Sequence, residues 1–253
     1  MKRARWLLVA ALFLSCASVI RVHRISQISV GESTFFSTIE AYTDAPIMGG
    51  NRIELLFNGD DTFPAMLRDI KTAKSTITFA QYLYEDGSIA YGLAEALSNR
   101  CRAGVRVHIL IDSQGSGKIP DKIPSILRDA GCQIEFFRRV EGSQVLFPWK
   151  LLKYNYRNHR RVLVIDGRIG FTGGYGISDA WTGDGRTENH WRDTNARVEG
   201  PIVKYLQAAF MESWLEATGT LLGGDHYFPH LEPAGKVPAQ MVKSSPAGGS
   251  FQN

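Results

Sequence analysis

His159 and Arg161, two residues apart, with Asp166 five further on, are the residues of this 253-residue chain whose types and spacing suit chemistry. In an extended strand alternate side chains share a face. His159 and Arg161 therefore project together, about 7 Å apart at their Cα atoms for a rise of about 3.3 Å per residue. A nucleophilic imidazole beside a fixed cation suits attack on a phosphodiester, because the guanidinium pairs with phosphate oxygens and offsets the charge that builds in the transition state. Asp166 ends the strand, where it can cap a turn or orient a histidine. Gly173 and Gly174 let backbone N–H groups come close to an anion. Each residue alone also has a plain structural reading: a surface histidine before a strand, a solvated Arg160-Arg161 face, and an Asp166-Gly167 turn.

The surrounding sequence must position these groups. Val162–Ile165 and Ile169–Thr172 are apolar runs joined through Asp166-Gly167, a signal for a hairpin with a type I′ turn. Upstream, strands alternate with helices. Arg52–Phe57 reads as a strand stopped by Asn58-Gly59-Asp60-Asp61, and Thr62 can cap a helix that tolerates Pro64 in its first turn. Thr76–Tyr84 is a strand, Ser88–Arg102 a helix ended by Gly104, Val105–Ile111 a strand ending at Asp112, Asp121–Ala130 a helix and Gln133–Phe137 a strand. Strands separated by helices of this length imply parallel neighbours, so the fold class is α/β, a mixed β-sheet flanked by helices on both faces. Trp191–Val198 reads as a further strand, followed by a helix ending near Gly219. Gly219–Pro238, rich in Gly and Pro, reads as a linker, after which Gln240–Lys243 begins a strand. The domain plan is a leader over 1–22, a linker over 23–51, the α/β domain over 52–219, and over 220–253 a linker with the start of a truncated second half.

Composition excludes several classes. Hydrophobic residues at 44% and charged residues at 21% fit a folded domain rather than a disordered, collagenous or polytopic membrane chain. Of the net charge of +4, Lys2, Arg3 and Arg5 supply three, and the +1 that remains is weak support for nucleic-acid binding. Those three residues precede the uncharged run Trp6–Ile20, too short to span a bilayer comfortably, which has the form of an export signal or short anchor. Leu12–Cys16 resembles a lipoprotein cleavage box with lipidation at Cys16. Cys101 and Cys132 read as buried thiols or, after export, as partners in a disulfide; their spacing does not show that they meet.

The stretch His159-Arg160-Arg161-Val162-Leu163-Val164-Ile165-Asp166 resembles the His-x-Lys-x4-Asp (HKD) signature of the phospholipase D superfamily, in particular its bacterial cardiolipin synthase-like branch. Ile70–Tyr84, Gly104–Ser116, Phe171–Ile177 and Trp191–Pro201 resemble that branch in the same order. The resemblance implies a two-step phosphatidyl transfer. His159 is the expected nucleophile, forming a phosphohistidine, Arg161 the expected phosphate binder, and Asp166 the third catalytic member. Gly173 and Gly174 fall at the substrate. A second histidine, from a second copy of the motif, protonates the leaving alcohol and activates the acceptor. No metal or other cofactor is implied. A glycerol-bearing acceptor gives cardiolipin and water gives phosphatidic acid.

Three departures shape that expectation. Arg161 stands where the family usually has lysine, keeping the charge with a planar fork. Gly176 stands where many members have Asn. The chain carries one motif, so a homodimer, a second HKD-bearing chain or an inactive, membrane-binding half are the three outcomes for a site built from two motifs. The expected partners are anionic phospholipid and a membrane surface in the cell envelope. Phe147–Arg157, mixing aromatic and basic residues, suits an anionic interface. It also suits single-stranded nucleic acid, as in a phosphodiesterase or nuclease of the same superfamily; the leader and the near-neutral charge argue against that partner. Glu188 and Asp193, flanking His190, can line a cleft or form a salt bridge. Asp225, His226 and His230 sit among Gly and Pro, with no rigid face for a metal.

Overall fold

Alternating apolar runs and amphipathic stretches build one mixed sheet clad by helices. The structure, a computed structural model, describes residues 28–138 and 157–243. The chain divides into a short unit ending at Ile39 and a main unit from Glu40. Helix α1 (Phe35–Thr43) begins in the first. The main unit runs β1 (Ile47–Phe57), α2 (Asn58–Thr72), β2 (Thr76–Gln81), α3 (Ser88–Arg102), β3 (Arg106–Asp112), α4 (Lys122–Asp129), β4 (Gln133–Phe137), β5 (Val162–Ile165), β6 (Ile169–Gly173), β7 (Thr194–Glu199), α5 (Val203–Thr218) and β8 (Val237–Gln240).

The strand order is β4-β3-β2-β5-β6-β7-β1-β8. β2, β3 and β4 are parallel neighbours linked through helices, and the other pairs are antiparallel. The period-2 alternation of side chains divides the core. Ile77, Phe79, Leu163 and Ile165 face the helices α2, α3 and α4. Ala80 and Leu110 face Phe210 and Trp214 of α5, and Val162 and Val164 pack on Val203 and Leu206 of the same helix. Helices cover both faces, as the α/β reading requires. The hairpin forms as expected: Asp166 and Gly167 both take positive φ, 52° and 63°, between β5 and β6.

Several boundaries differ from the sequence reading. Asn58-Gly59-Asp60-Asp61 is the first turn of α2, not a break before it. Asp60 and Asp61 sit where the helix dipole favours negative charge, and Asp61 Oδ2 accepts the Phe57 N–H at 2.9 Å. Thr62 lies inside the helix, its hydroxyl donating to the Asn58 carbonyl at 2.6 Å, and Pro64 follows it there. The expected linker over 23–51 contains α1 and the start of β1. The stretch after Gly219 lies against the sheet: Tyr227 is buried, the Thr76 hydroxyl donates to the His226 carbonyl at 2.8 Å, and the Ala234 N–H bonds the Gly50 carbonyl at 2.8 Å. The strand expected over 240–243 lies at Val237–Gln240 and pairs with β1 of this same sheet. Edge pairing decides its position, and local periodicity carries no record of that.

Cys101, in the last turn of α3, is disulfide-bonded to Cys132 at the entry to β4, with Cα atoms 5.5 Å apart. Among the described residues no helix is long and apolar enough to cross a membrane. The leader, Cys16 and residues 147–156 of the aromatic and basic segment lie outside the described residues.

Candidate active site

The hairpin strand β5 runs antiparallel to β2, with Val162 opposite Ala80. The chain entering β5 therefore rises beside the carboxyl ends of β2 and β3, the end of a parallel sheet at which ligands are usually bound. Alternation sorts the three residues before the strand. Arg160 turns to α5, where its Nη1 donates to the Ala209 carbonyl at 2.7 Å and to Glu212 Oε2 at 3.0 Å. His159 and Arg161 turn the other way together, with Arg161 Nη1 3.4 Å from His159 Nδ1.

Two neighbours hold the pair. The Tyr82 ring, just past β2, packs on the His159 imidazole with centroids 4.1 Å apart and planes at 37°. The Arg161 guanidinium stands 6.0 Å over that same ring. Asp112, the last residue of β3, is fully buried. Its Oδ2 accepts the Asn158 N–H at 3.0 Å, while Oδ1 accepts the N–H groups of Gln114 and Gly115 at 2.9 and 3.1 Å. Arg157 Nη1 lies 3.9 Å from Oδ1. A buried carboxylate is tolerable only when so satisfied.

Burial, and then the Arg161 charge, pull the pKa of His159 below the usual 6.5, with Asp112 pulling it back. The imidazole is therefore neutral, with a lone pair available, near neutral pH. Burial also works against the charge of Arg161, opposed by Asp193 and the phenols of Tyr175 and Tyr82. Burial raises Asp193 as well. Three polar atoms around this cation are buried and have no hydrogen-bond partner among the described residues: Arg161 Nε, Tyr175 Oη and Asp193 Oδ2. A buried polar atom without a partner is costly, about 1–3 kcal/mol, so such a group marks a place prepared for a ligand atom or water.

Gly173 and Gly174 follow β6 into the same end of the sheet. A Cβ on Gly173 would overlap Asn195 Oδ1, and one on Gly174 would lie 2.5 Å from Asp193 Oδ1. The close approach that these glycines permit is thus to Asn195 and Asp193. Asn195 in turn accepts the Tyr175 N–H at 3.2 Å and donates to Thr62 Oγ1 at 2.9 Å, tying β7, the β6 exit and α2 together. At Gly176 a Cβ would meet Leu83 and the Trp181 ring at 2.9 and 3.1 Å, so those side chains fill the space.

Asp166 does not join this group. β5 separates it from His159 by seven residues, roughly 20 Å at the strand rise. At the far end its carboxylate accepts the N–H groups of Lys74, Ser75 and Thr76 at 2.9, 2.7 and 2.9 Å, closing the turn that leads into β2. Of the two roles open to it from the sequence, the turn-capping one matches this placement. His226 and His230 are engaged with Ser75 and Glu232. Glu188 is exposed, whereas the Asp193 carboxylate is near enough to favour the charge of Arg161. Sequence reasoning passed over Tyr82, Asp112 and Tyr175. The signal that could have found the first two is their place at the carboxyl ends of β2 and β3.

A family model described as cardiolipin synthase, PLD-like domain matches residues 66–214. Cardiolipin synthase A of Pseudomonas fluorescens is 34% identical over 202 residues, covering 80% of this chain and 41% of that protein. The major cardiolipin synthase of Bacillus subtilis is 35% identical over 202 residues, covering 78% and 40%. This chain thus spans about two fifths of the length of these curated relatives. Among solved structures, NucT from Helicobacter pylori superimposes with a TM-score of 0.50 at 14% identity, over 66% of this chain and 97% of that one, a likeness of fold.

Proposed function

The chain belongs to the cardiolipin synthase, phospholipase D-like domain family, and from that premise we propose that it is one half of an enzyme that transfers or hydrolyses a phosphatidyl group, with His159 as the nucleophile. The observation that carries this reading is the His159 imidazole held 3.4 Å from the half-buried Arg161 cation, with burial and that charge drawing its pKa below 6.5. The imidazole lone pair attacks the lipid phosphorus, and Arg161 offsets the charge on the phosphoryl oxygens. The P–O bond breaks, its electron pair leaving with the alcohol oxygen, which takes a proton from the imidazolium of a second motif. A glycerol-bearing alcohol, its proton passing to that second imidazole, then attacks the phosphorus and breaks the P–N bond to free His159 and give cardiolipin, or water does so to give phosphatidic acid. Cationic side chains carry the phosphate, so the reading needs no cofactor.

In this reading a second HKD motif, for instance from a second copy of this chain or from another HKD-bearing chain, supplies the second histidine. The partners are anionic phospholipids at a membrane surface of the cell envelope, to which the leader-like N-terminus directs the chain.

The test is product formation from phosphatidylglycerol vesicles. Cardiolipin or phosphatidic acid that disappears in a folded His159→Ala variant supports the reading, and undiminished product in that variant removes His159 from the chemistry. A folded, vesicle-bound chain that yields no product until a second motif-bearing chain is added is a half-site. One that yields none even then is an inactive membrane-binding domain.

A further inference from the structure

Resting on His159 as nucleophile, we propose that Tyr82 is a positioning residue, an aromatic shelf that sets the plane of the His159 imidazole and steadies the cationic ring formed when it carries the phosphoryl group. The shelf is held by its backbone and by the loop beside it. Tyr82 directly follows Gln81, whose Oε1 accepts the Tyr82 N–H at 3.0 Å, and Ser116 Oγ donates to the Tyr82 carbonyl at 2.8 Å. Gly115 lies beside the ring, at its Cδ2 and Cε2 atoms. A Cβ there would overlap the Tyr82 carbonyl and stand 2.8 and 2.9 Å from ring atoms Cε2 and Cδ2, so only glycine lets this loop approach the ring so closely. The imidazole packs on the ring at 4.1 Å.

One carboxylate fixes shelf and nucleophile relative to each other. Asp112 holds the Gly115 N–H with Oδ1 and the Asn158 N–H with Oδ2. The glycine beside the ring and the residue before His159 therefore share an anchor.

The chemistry needs such a shelf. When one ring nitrogen forms the P–N bond, the P–O bond breaks and its electron pair leaves with the alcohol oxygen, which is protonated by a second imidazolium. The phosphorylated ring keeps the proton on its other nitrogen, so it becomes a cation beside the Arg161 cation. A phenol face presents negative quadrupole charge to both, as the Arg161 position 6.0 Å over the ring already illustrates. The part that acts on the imidazole exists only once that ring is charged, and so it acts on turnover rather than on substrate binding.

The experiment compares Tyr82→Phe with Tyr82→Leu, and with Tyr82→Met as a second non-aromatic replacement, in the full chain with phosphatidylglycerol vesicles and any second motif-bearing chain that turnover requires. Two readouts are taken: the proton chemical shifts of the His159 ring and the separate kcat and KM values. We expect Tyr82→Phe to keep the upfield ring-current shift and the wild-type kcat. The non-aromatic variants should lose that shift and about tenfold in kcat with KM nearly unchanged. Wild-type kcat in a folded non-aromatic variant, or a loss in Tyr82→Phe equal to that in Tyr82→Leu, overturns the proposal. His159 shifts unmoved by removal of the ring overturn it too, and this readout holds in a chain without turnover. Absent turnover in the wild type counts instead against the proposed function.

Discussion

Asp112 and Asn158 are joined across the end of the sheet: the buried carboxylate accepts the Asn158 backbone N–H at 3.0 Å, one residue before His159. The strand that ends in Asp112 and the strand that follows His159 are not neighbours in the sheet, since β2 lies between them. This bond therefore sets the entry of the chain into the site independently of the ladder. Asp112→Asn keeps the shape but turns an amide donor toward backbone donors. We expect it to cost about 1–3 kcal/mol in denaturant titrations. Because His159 is displaced with its anchor, turnover should fall by more than tenfold, of the order seen for small misplacements of reacting groups. Wild-type turnover in Asp112→Asn would show that β5 alone positions the imidazole.

Asp166 should behave as a structural residue. Its carboxylate serves three backbone N–H groups before β2, at the end of the sheet away from His159, and its φ of 52° is one that Asn also adopts. Asp166→Asn is expected to lose about 1 kcal/mol of stability and Asp166→Ala about 2–3 kcal/mol. Both should retain wild-type kcat per folded molecule. A folded Asp166→Asn protein with kcat down a hundredfold would place the carboxylate in the chemistry.

Arg161 has two effects that substitution separates. It lowers the His159 pKa, second to burial, and in the proposed reaction it is the cation that pairs with the phosphate. Protonation removes the imidazole lone pair, so turnover falls as pH drops through the folded-state pKa. Arg161→Gln should raise that pKa toward 6.5 and shift the acid limb of the rate profile to higher pH. Loss of the cation should cost on the order of a hundredfold in kcat. Arg161→Lys keeps the charge, so its acid limb should stay near that of the wild type. Proton NMR titration of His159 in the three proteins gives the pKa directly, and an unchanged value in Arg161→Gln would count against their electrostatic coupling.

His108 gives the domain an acid-side weakness. It is buried on β3 among Trp214 and Tyr227, with ring centroids at 5.1 and 5.7 Å. Burial, and then Arg106, lower its pKa from 6.5 to about 4. The unfolded chain takes up this proton near pH 6.5 and the folded one only near 4, so stability should decline as pH falls across that window and level off below it. Melting temperatures from pH 7 to 4 check this. His108→Phe, which removes a ring nitrogen that has no partner among the described residues, should flatten the slope.

Much of this architecture was legible where local rules decide. The Asp166-Gly167 hairpin follows from turn chemistry, β4 from a β-branched and aromatic run between turn signals, and the end of α5 from Gly219, which takes φ 71°. The pairing of His159 with Arg161 follows from strand periodicity alone. What was not legible depends on distant partners. Asn58–Asp61 suits both a turn and a helix start, and the packing of α2 settles the choice. Asp112 reads as the end of a strand, since its role lies 46 residues away at Asn158. Tyr82 reads as one more aromatic in a strand until the hairpin brings His159 onto its face. Asp166 lies close to His159 in sequence, but an extended strand carries it to the opposite end of the sheet.

The disulfide between Cys101 and Cys132 encloses β3, Asp112 and α4 in a covalent ring. The carboxylate that holds the Gly115 and Asn158 N–H groups thus sits on a tethered circle of chain, and assembly of the site is bound up with thiol oxidation. A thiol-reducing environment withholds the closure, whereas an oxidising one supplies it. Closure of that ring therefore depends on the electron acceptors the chain meets as it folds as well as on its own sequence.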